Sequence, residues 1–111
     1  MNRKKKIIRT WKGWTTLDNA SIYENMLINE VFPEVKRKGV AGLEKVSIST
    51  SEKNDEVEFF LILQFESLES VKMFAGEKYE LAYIPDNAKR VLSRYDATAQ
   101  HFTMKEELIL K

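Results

Sequence analysis

The chain has 111 residues, 43% hydrophobic and 32% charged, with 18 basic side chains against 17 acidic ones and a formal charge of +1. That length and balance fit one globular domain over residues 1–111 and give no electrostatic reason to expect nucleic acid or a membrane as partner. The absence of cysteine excludes disulfides and thiolate chemistry and makes a cytoplasmic location the default expectation. A single histidine, His101, excludes metal sites built from two or more imidazoles within one chain. The glycines at 13, 39, 42 and 76 form neither a P-loop nor a dinucleotide fingerprint, and no serine sits in a G-x-S-x-G elbow, so no cofactor or metal is expected. No run approaches the roughly 18 apolar residues of a membrane span. Residues 1–6, with Arg3-Lys4-Lys5-Lys6, read as a solvated basic tail. They do not read as a signal peptide, because Ile7-Ile8 is followed at once by Arg9.

In chain order, "IIRTWKGW" (7–14) has the β-branched and aromatic density of a strand. Ala20, Tyr23, Leu27 and Val31 then fall at helical spacing, with Ile22 and Met26 widening the stripe. Asp18 is the predicted N-cap, Leu17 and Ile22 the staple, and Pro33 the predicted stop. "KRKG" reads as a basic connection, followed by a hairpin with arms 41–50 and 56–66 and a loop drawn from Ser51, Asn54 and Asp55. In the second arm Val57, Phe59, Leu61, Leu63 and Phe65 form one apolar face, while Phe60 and Ile62 are apolar on the other. A strand apolar on both faces is one covered on both faces.

Ser67 is placed to cap a helix burying Leu68, Val71 and Phe74, with Gly76 as its left-handed terminator. A short helix over Glu77–Ile84, another over Asp86–Ser93 capped by Asp86, and a last strand near 98–107 complete the prediction. The order β-α-β-β-α-β is an α+β, ferredoxin-like subunit with a four-stranded antiparallel sheet. Right-handed crossovers put every helix on one side, so the other face needs an external cover. A second copy packed sheet against sheet supplies it, and a homodimer is expected.

"FESL" (65–68), "FAGEKY" (74–79), Pro85 and His101-Phe102, with "RTWKGWT" and Tyr23 near the start, resemble the antibiotic biosynthesis monooxygenase-like proteins of the dimeric α/β-barrel superfamily. The resemblance implies two ferredoxin-like subunits pairing into a dimeric α/β barrel, with a pocket between sheet and helices in each. It also implies a candidate activity, cofactor-independent monooxygenation of a small aromatic or polyketide-like substrate. Haem breakdown, known for other members, is disfavoured. The haem-degrading members use an Asn on the first strand, a Trp on the helix after the third strand and a His on the next. Here those places hold Thr10 and Trp11, Phe74, and a Lys78–Ile84 segment without histidine.

Oxygenation without a cofactor needs an apolar pocket, a proton acceptor and donors that hold a developing anion. Trp11, Trp14, Tyr23, Phe74, Tyr79 and Tyr83 are the candidate walls, and Arg9 and His101 the polar candidates. His101 is the catalytic candidate because imidazole alone titrates near neutrality; the competing reading is a hydrogen-bonded strand residue. Trp11 and Trp14, three apart on a strand, point to opposite faces, one toward the pocket and one toward a dimer interface; the competing reading is that both are core. Tyr79 and Tyr83, four apart, share a face of the predicted helix, where packing competes with catalysis. The alternative of another class is a non-catalytic homodimer that binds a small apolar or aromatic ligand.

Overall fold

The computed structural model describes residues 5–111, so Met1 to Lys4, and with them most of the expected tail, lie outside the described residues. The tail's last residue, Lys6, donates to Glu44 at 2.7 Å.

Strand β1 (Ile7–Thr16) runs antiparallel to β3 (Glu56–Phe65) from Ile7 opposite Phe65 to Thr16 opposite Glu56. Strand β2 (Leu43–Lys53) pairs with the other side of β3. On the free edge of β1 lie two short strands, β4 (Arg94–Tyr95) and β5 (Gln100–Thr103), where one strand near 98–107 was predicted. The edge is interrupted because the chain between them bonds elsewhere: Ala82 N–H donates to Ala97 O at 2.9 Å and Ala99 N–H to Glu80 O at 2.8 Å. The sheet is therefore five-stranded, in the order β2-β3-β1 followed by β4 and β5.

Alternation decides the core. Val57, Phe59, Leu61, Leu63 and Phe65 are all buried on one face of β3, and Arg9, Trp11, Gly13 and Thr15 on the same face of β1. A Cβ on Gly13 would stand 2.5 Å from Trp11 Cη2, so only glycine lets the indole lie flat along its own strand. That ring is fixed by Trp11 Nε1 donating to Asp96 O at 2.7 Å. Tyr23 from helix α1 (Leu17–Met26) closes edge-on against Phe59, with ring centroids 4.8 Å apart. The opposite face carries Ile8, Trp14, Phe60 and Ile62, all half-buried, and Phe102, which is exposed. Lys12 stands over Phe60 and Arg94 over Trp14 on that face, as cation–π contacts do.

Three local predictions are corrected. The cap of α1 is Thr16, whose hydroxyl accepts from Asn19 N–H at 3.2 Å, while Asp18 lies inside the first turn. Pro33 does not end the helix: a π-helical turn, Leu27–Val31, leads into α2 (Phe32–Lys38), with Pro33 in its first turn. Phe32 N–H reaches Leu27 O, and the wider turn accommodates a residue that has no amide to donate and whose ring crowds the preceding carbonyl. The helix stops at Gly39, so Lys36, Arg37 and Lys38 form its last turn, where cations suit the dipole. The hairpin turn is Asn54-Asp55, both at positive φ (54° and 62°), and Ser51 belongs to β2.

The second crossover departs further. Helix α3 (Leu68–Ala75) has the expected Ser67 cap, completed by Ser70 in a reciprocal box, and Val71 is fully buried, but Leu68 is exposed. Gly76 ends it with φ 88° and ψ −177°, an extended conformation at positive φ rather than the left-handed turn predicted, and one that effectively only glycine adopts. No helix forms over Glu77–Ile84. The segment is a turn and an irregular run held by a bridge from Leu81 to Thr98. Helix α4 is a single turn, Asp86–Lys89, capped by Pro85 without a side-chain bond, so Asp86 is its first residue and not its cap.

Replacing Thr16 by Ala should cost about 1 kcal/mol of folding free energy in urea unfolding. Asp18→Ala should cost clearly less, because its carboxylate makes no capping bond.

Candidate functional site

Between the sheet and the helices lies a small apolar cavity. Its floor is Arg9 and Trp11 of β1 with Leu61 and Leu63 of β3, and its sides are Tyr23 and Leu27. Phe74 at the end of α3 and Tyr83 in the irregular run form the mouth, their rings edge-on with centroids 5.6 Å apart. About 40 Å³ is free inside, room for a water molecule and well short of the roughly 150 Å³ that holds a benzene ring. Phe74 is half-buried and Tyr83 46% exposed, so Tyr83 is the less enclosed of the two rings at the mouth. A larger groove of about 660 Å³ between α2 and β2 is an open trough whose Lys36, Glu44 and Lys45 are exposed, and it offers no buried polar group.

Arg9 is the polar centre of the cavity. It is 3% exposed, and burial lowers its pKa to about 10, which leaves it cationic at neutral pH. Nη1 donates to Tyr79 O at 2.5 Å and approaches His101 Nε2 at 3.0 Å, and Nη2 donates to Leu81 O at 3.1 Å. Arginine has donors only, so His101 Nε2 must carry a lone pair and the ring is neutral with its proton on Nδ1. Burial first, and the neighbouring Arg9 charge second, push the His101 pKa below its ordinary value, with Glu80 opposing them more weakly.

Of the residues singled out from the sequence, Arg9, Trp11, Tyr23, Phe74 and Tyr83 converge on this cavity. Tyr79 and His101 do not line it. They stand behind Arg9, edge-on to each other with centroids 5.1 Å apart. Tyr79 and Tyr83 share no helical face, because no helix forms there: Tyr79 packs on His101 and Tyr83 on Phe74. Trp14 is on the far face of the sheet under Arg94, 4.0 Å from its ring centroid, in the alternation expected for two tryptophans three apart. Burial also raises the Tyr23 pKa, which makes its phenol a poor proton acceptor at neutral pH.

Val31 and Phe32 also line the cavity, although neither is a site candidate from the sequence, where Pro33 marks the predicted end of the helix beside them. The signal was present: Leu27, Val31 and Val35 continue the four-residue spacing straight through the proline. The carbonyls of Tyr79 and Leu81 carry no sequence signal at all.

No family model matches the chain, and no curated protein does. Among solved structures it is similar to a candidate antibiotic biosynthesis monooxygenase from Bacillus cereus, with TM-score 0.66 and 17% identity over 96% of this chain and 99% of that one. It is also similar to a Shewanella oneidensis protein, with TM-score 0.63 and 11% identity over 92% of this chain and 93% of that one. At such identities the likeness establishes the fold alone: a ferredoxin-like α+β chain.

Because the folded state holds His101 neutral, the unfolded chain binds the extra proton first as pH falls. Stability should therefore be complete above pH 6.5 and decline as pH drops below it, before the carboxylates near 4.5 and lower begin to titrate. Urea unfolding across that window should show the slope, and His101→Gln, which keeps an acceptor for Arg9, should flatten it.

Proposed function

We propose that the chain is a cofactor-independent monooxygenase of a small aromatic or polyketide-like substrate, working as a homodimer in the cytoplasm. The observation that carries the reading is the apolar, aromatic-walled cavity between sheet and helices, in a fold shared with the Bacillus cereus protein. A deprotonated aromatic carbon passes electrons to dioxygen, a C–O bond forms and the O–O bond breaks. One oxygen stays as the ketone and the other leaves as water, so CH₂ and O₂ become C=O and H₂O with no external reductant. The protein's part is to hold the ring, exclude water and stabilise the anion.

The second reading, a small-ligand-binding protein without chemistry, draws on the same cavity. It is favoured by the position of His101 behind Arg9, which leaves no neutral base facing the cavity. Oxygen uptake with a panel of hydroquinones and anthrones separates the two. The enzyme reading expects protein-dependent consumption with equimolar ketone product, whereas ring binding with no uptake above the buffer rate would overturn it in favour of the second.

Homodimerisation is supported by the sheet face opposite the helices, where Ile8, Trp14, Phe60, Ile62 and Phe102 have no helix or second sheet over them among the described residues. Sedimentation should give twice the chain mass. Phe60→Glu, a charge placed within that face, should shift it to monomer at micromolar concentration while the far-ultraviolet spectrum is kept.

A further inference from the structure

The mechanism above asks that a ring be held and its anion stabilised, without saying by which group. Arg9 asks for something more specific. A guanidinium at 3% exposure is normally matched by a carboxylate, since an unmatched buried charge is among the costliest features a fold can carry. No carboxylate is paired with Arg9 among the described residues: the ion pairs there are Lys6–Glu44, Lys12–Glu58, Arg37–Glu34 and Arg94–Glu56, all at the surface. Its three partners are neutral, two carbonyls and an imidazole, and Glu80, the acid that acts on that imidazole, is exposed. Of five donors, Nε–H and one hydrogen of Nη2 remain without a partner among the described residues. Nε and Nη2 share the edge by which arginine grips a carboxylate or another oxyanion. The rest of the cavity wall is apolar and aromatic, and Arg9 Cζ lies 5.5 Å from the centroid of Phe74 at the mouth.

We propose that this cavity is an anion site, and that its ligand is an aromatic monoanion whose oxyanion, phenolate, enolate or carboxylate, completes the pairing of Arg9 while its ring displaces Tyr83 and stacks on Phe74. The inference takes its location from the cavity reading of the preceding subsection and is independent of whether any oxygenation occurs. It gives the unmatched cation a purpose. The two carbonyls and His101 hold the guanidinium in one orientation, so that its charge is fixed before the ligand arrives and costs no reorganisation on binding. It also fits a single-ring ligand best, because the cavity as closed has little spare room and the volume must come from one moving side chain.

The probe is 4-nitrophenol, whose coloured anion reports its own ionisation, with 4-nitroanisole as the neutral isostere and benzoate as a competing carboxylate. On the wild-type chain the phenolate should bind at least tenfold more tightly than 4-nitroanisole. The pKa of bound nitrophenol should fall by about one unit, the equivalent of that tenfold preference. Competition by benzoate would extend the site to carboxylates; its failure would restrict the ligand to phenolates and enolates. Arg9→Gln should abolish the downward shift and Arg9→Lys should keep most of it. An apolar cavity without a working cation would raise the pKa of the probe instead, by desolvation. That result, equal binding of nitrophenolate and nitroanisole, or no binding of the anion by the wild-type protein overturns the proposal and leaves Arg9 as a staple for residues 79–81. The decisive comparison is made on the wild-type protein, so it stands even if the variants unfold. Oxygen uptake can fail without touching it, and anion binding can fail while uptake persists.

Discussion

The guanidinium of Arg9 holds the two halves of the chain in one arrangement. It projects from the first strand and is caught by the carbonyls of Tyr79 and Leu81, about 70 residues later, and by His101 on the last strand. Residues 77–84 form no helix, so they have no ladder of their own to satisfy those carbonyls. Without Arg9 the run would leave polar groups unpaired beside an apolar core, at a cost on the order of 1–3 kcal/mol each. With it, the run is drawn down over the sheet, and Tyr83 lands against Phe74 to form the mouth of the cavity. One buried cation thus sets both the shape of the second crossover and the electrostatics of the space beneath it.

The same constraint explains the broken edge of the sheet. Ala97 and Ala99 turn away from β1 to bond with Ala82 and Glu80, inside the stretch that Arg9 positions, and the edge strand divides into β4 and β5 around them. Trp11, flat over Gly13 and bonded to Asp96 O, fills the space this leaves. Core, cavity floor and strand break are therefore consequences of what four alternate positions of β1, residues 9, 11, 13 and 15, present to the helices.

On the other face the physics is different. Its apolar groups are interleaved with cation–π and ion pairs: Lys12 with Phe60 and Glu58, and Arg94 with Trp14 and Glu56. Such pairs are worth little in water, but they keep the aliphatic and aromatic surface covered by long side chains that can be repacked against a partner. The residues that line the cavity and the apolar residues of the opposite face are thus separated by one sheet, on alternating residues of the same strands.

The sequence by itself determined the order strand, helix, hairpin, helix up to Ala75, the buried face of β3, the Ser67 cap and the opposed directions of Trp11 and Trp14. Each follows from spacing along a single segment, where the period of a strand or helix leaves little choice. It also led to Arg9, Trp11, Tyr23, Phe74 and Tyr83, which do line one cavity. Only the tertiary structure decided that Leu27–Val31 widens and lets the helix run through Pro33, that Glu77–Ile84 is irregular, and that His101 serves Arg9 from behind. The reason is physical. A proline or a tyrosine pair has a local preference worth a few kcal/mol at most, and contacts with residues distant in sequence outweigh it. The partners that mattered most here, two backbone carbonyls, are present in every residue and are distinguished only by where the fold brings them.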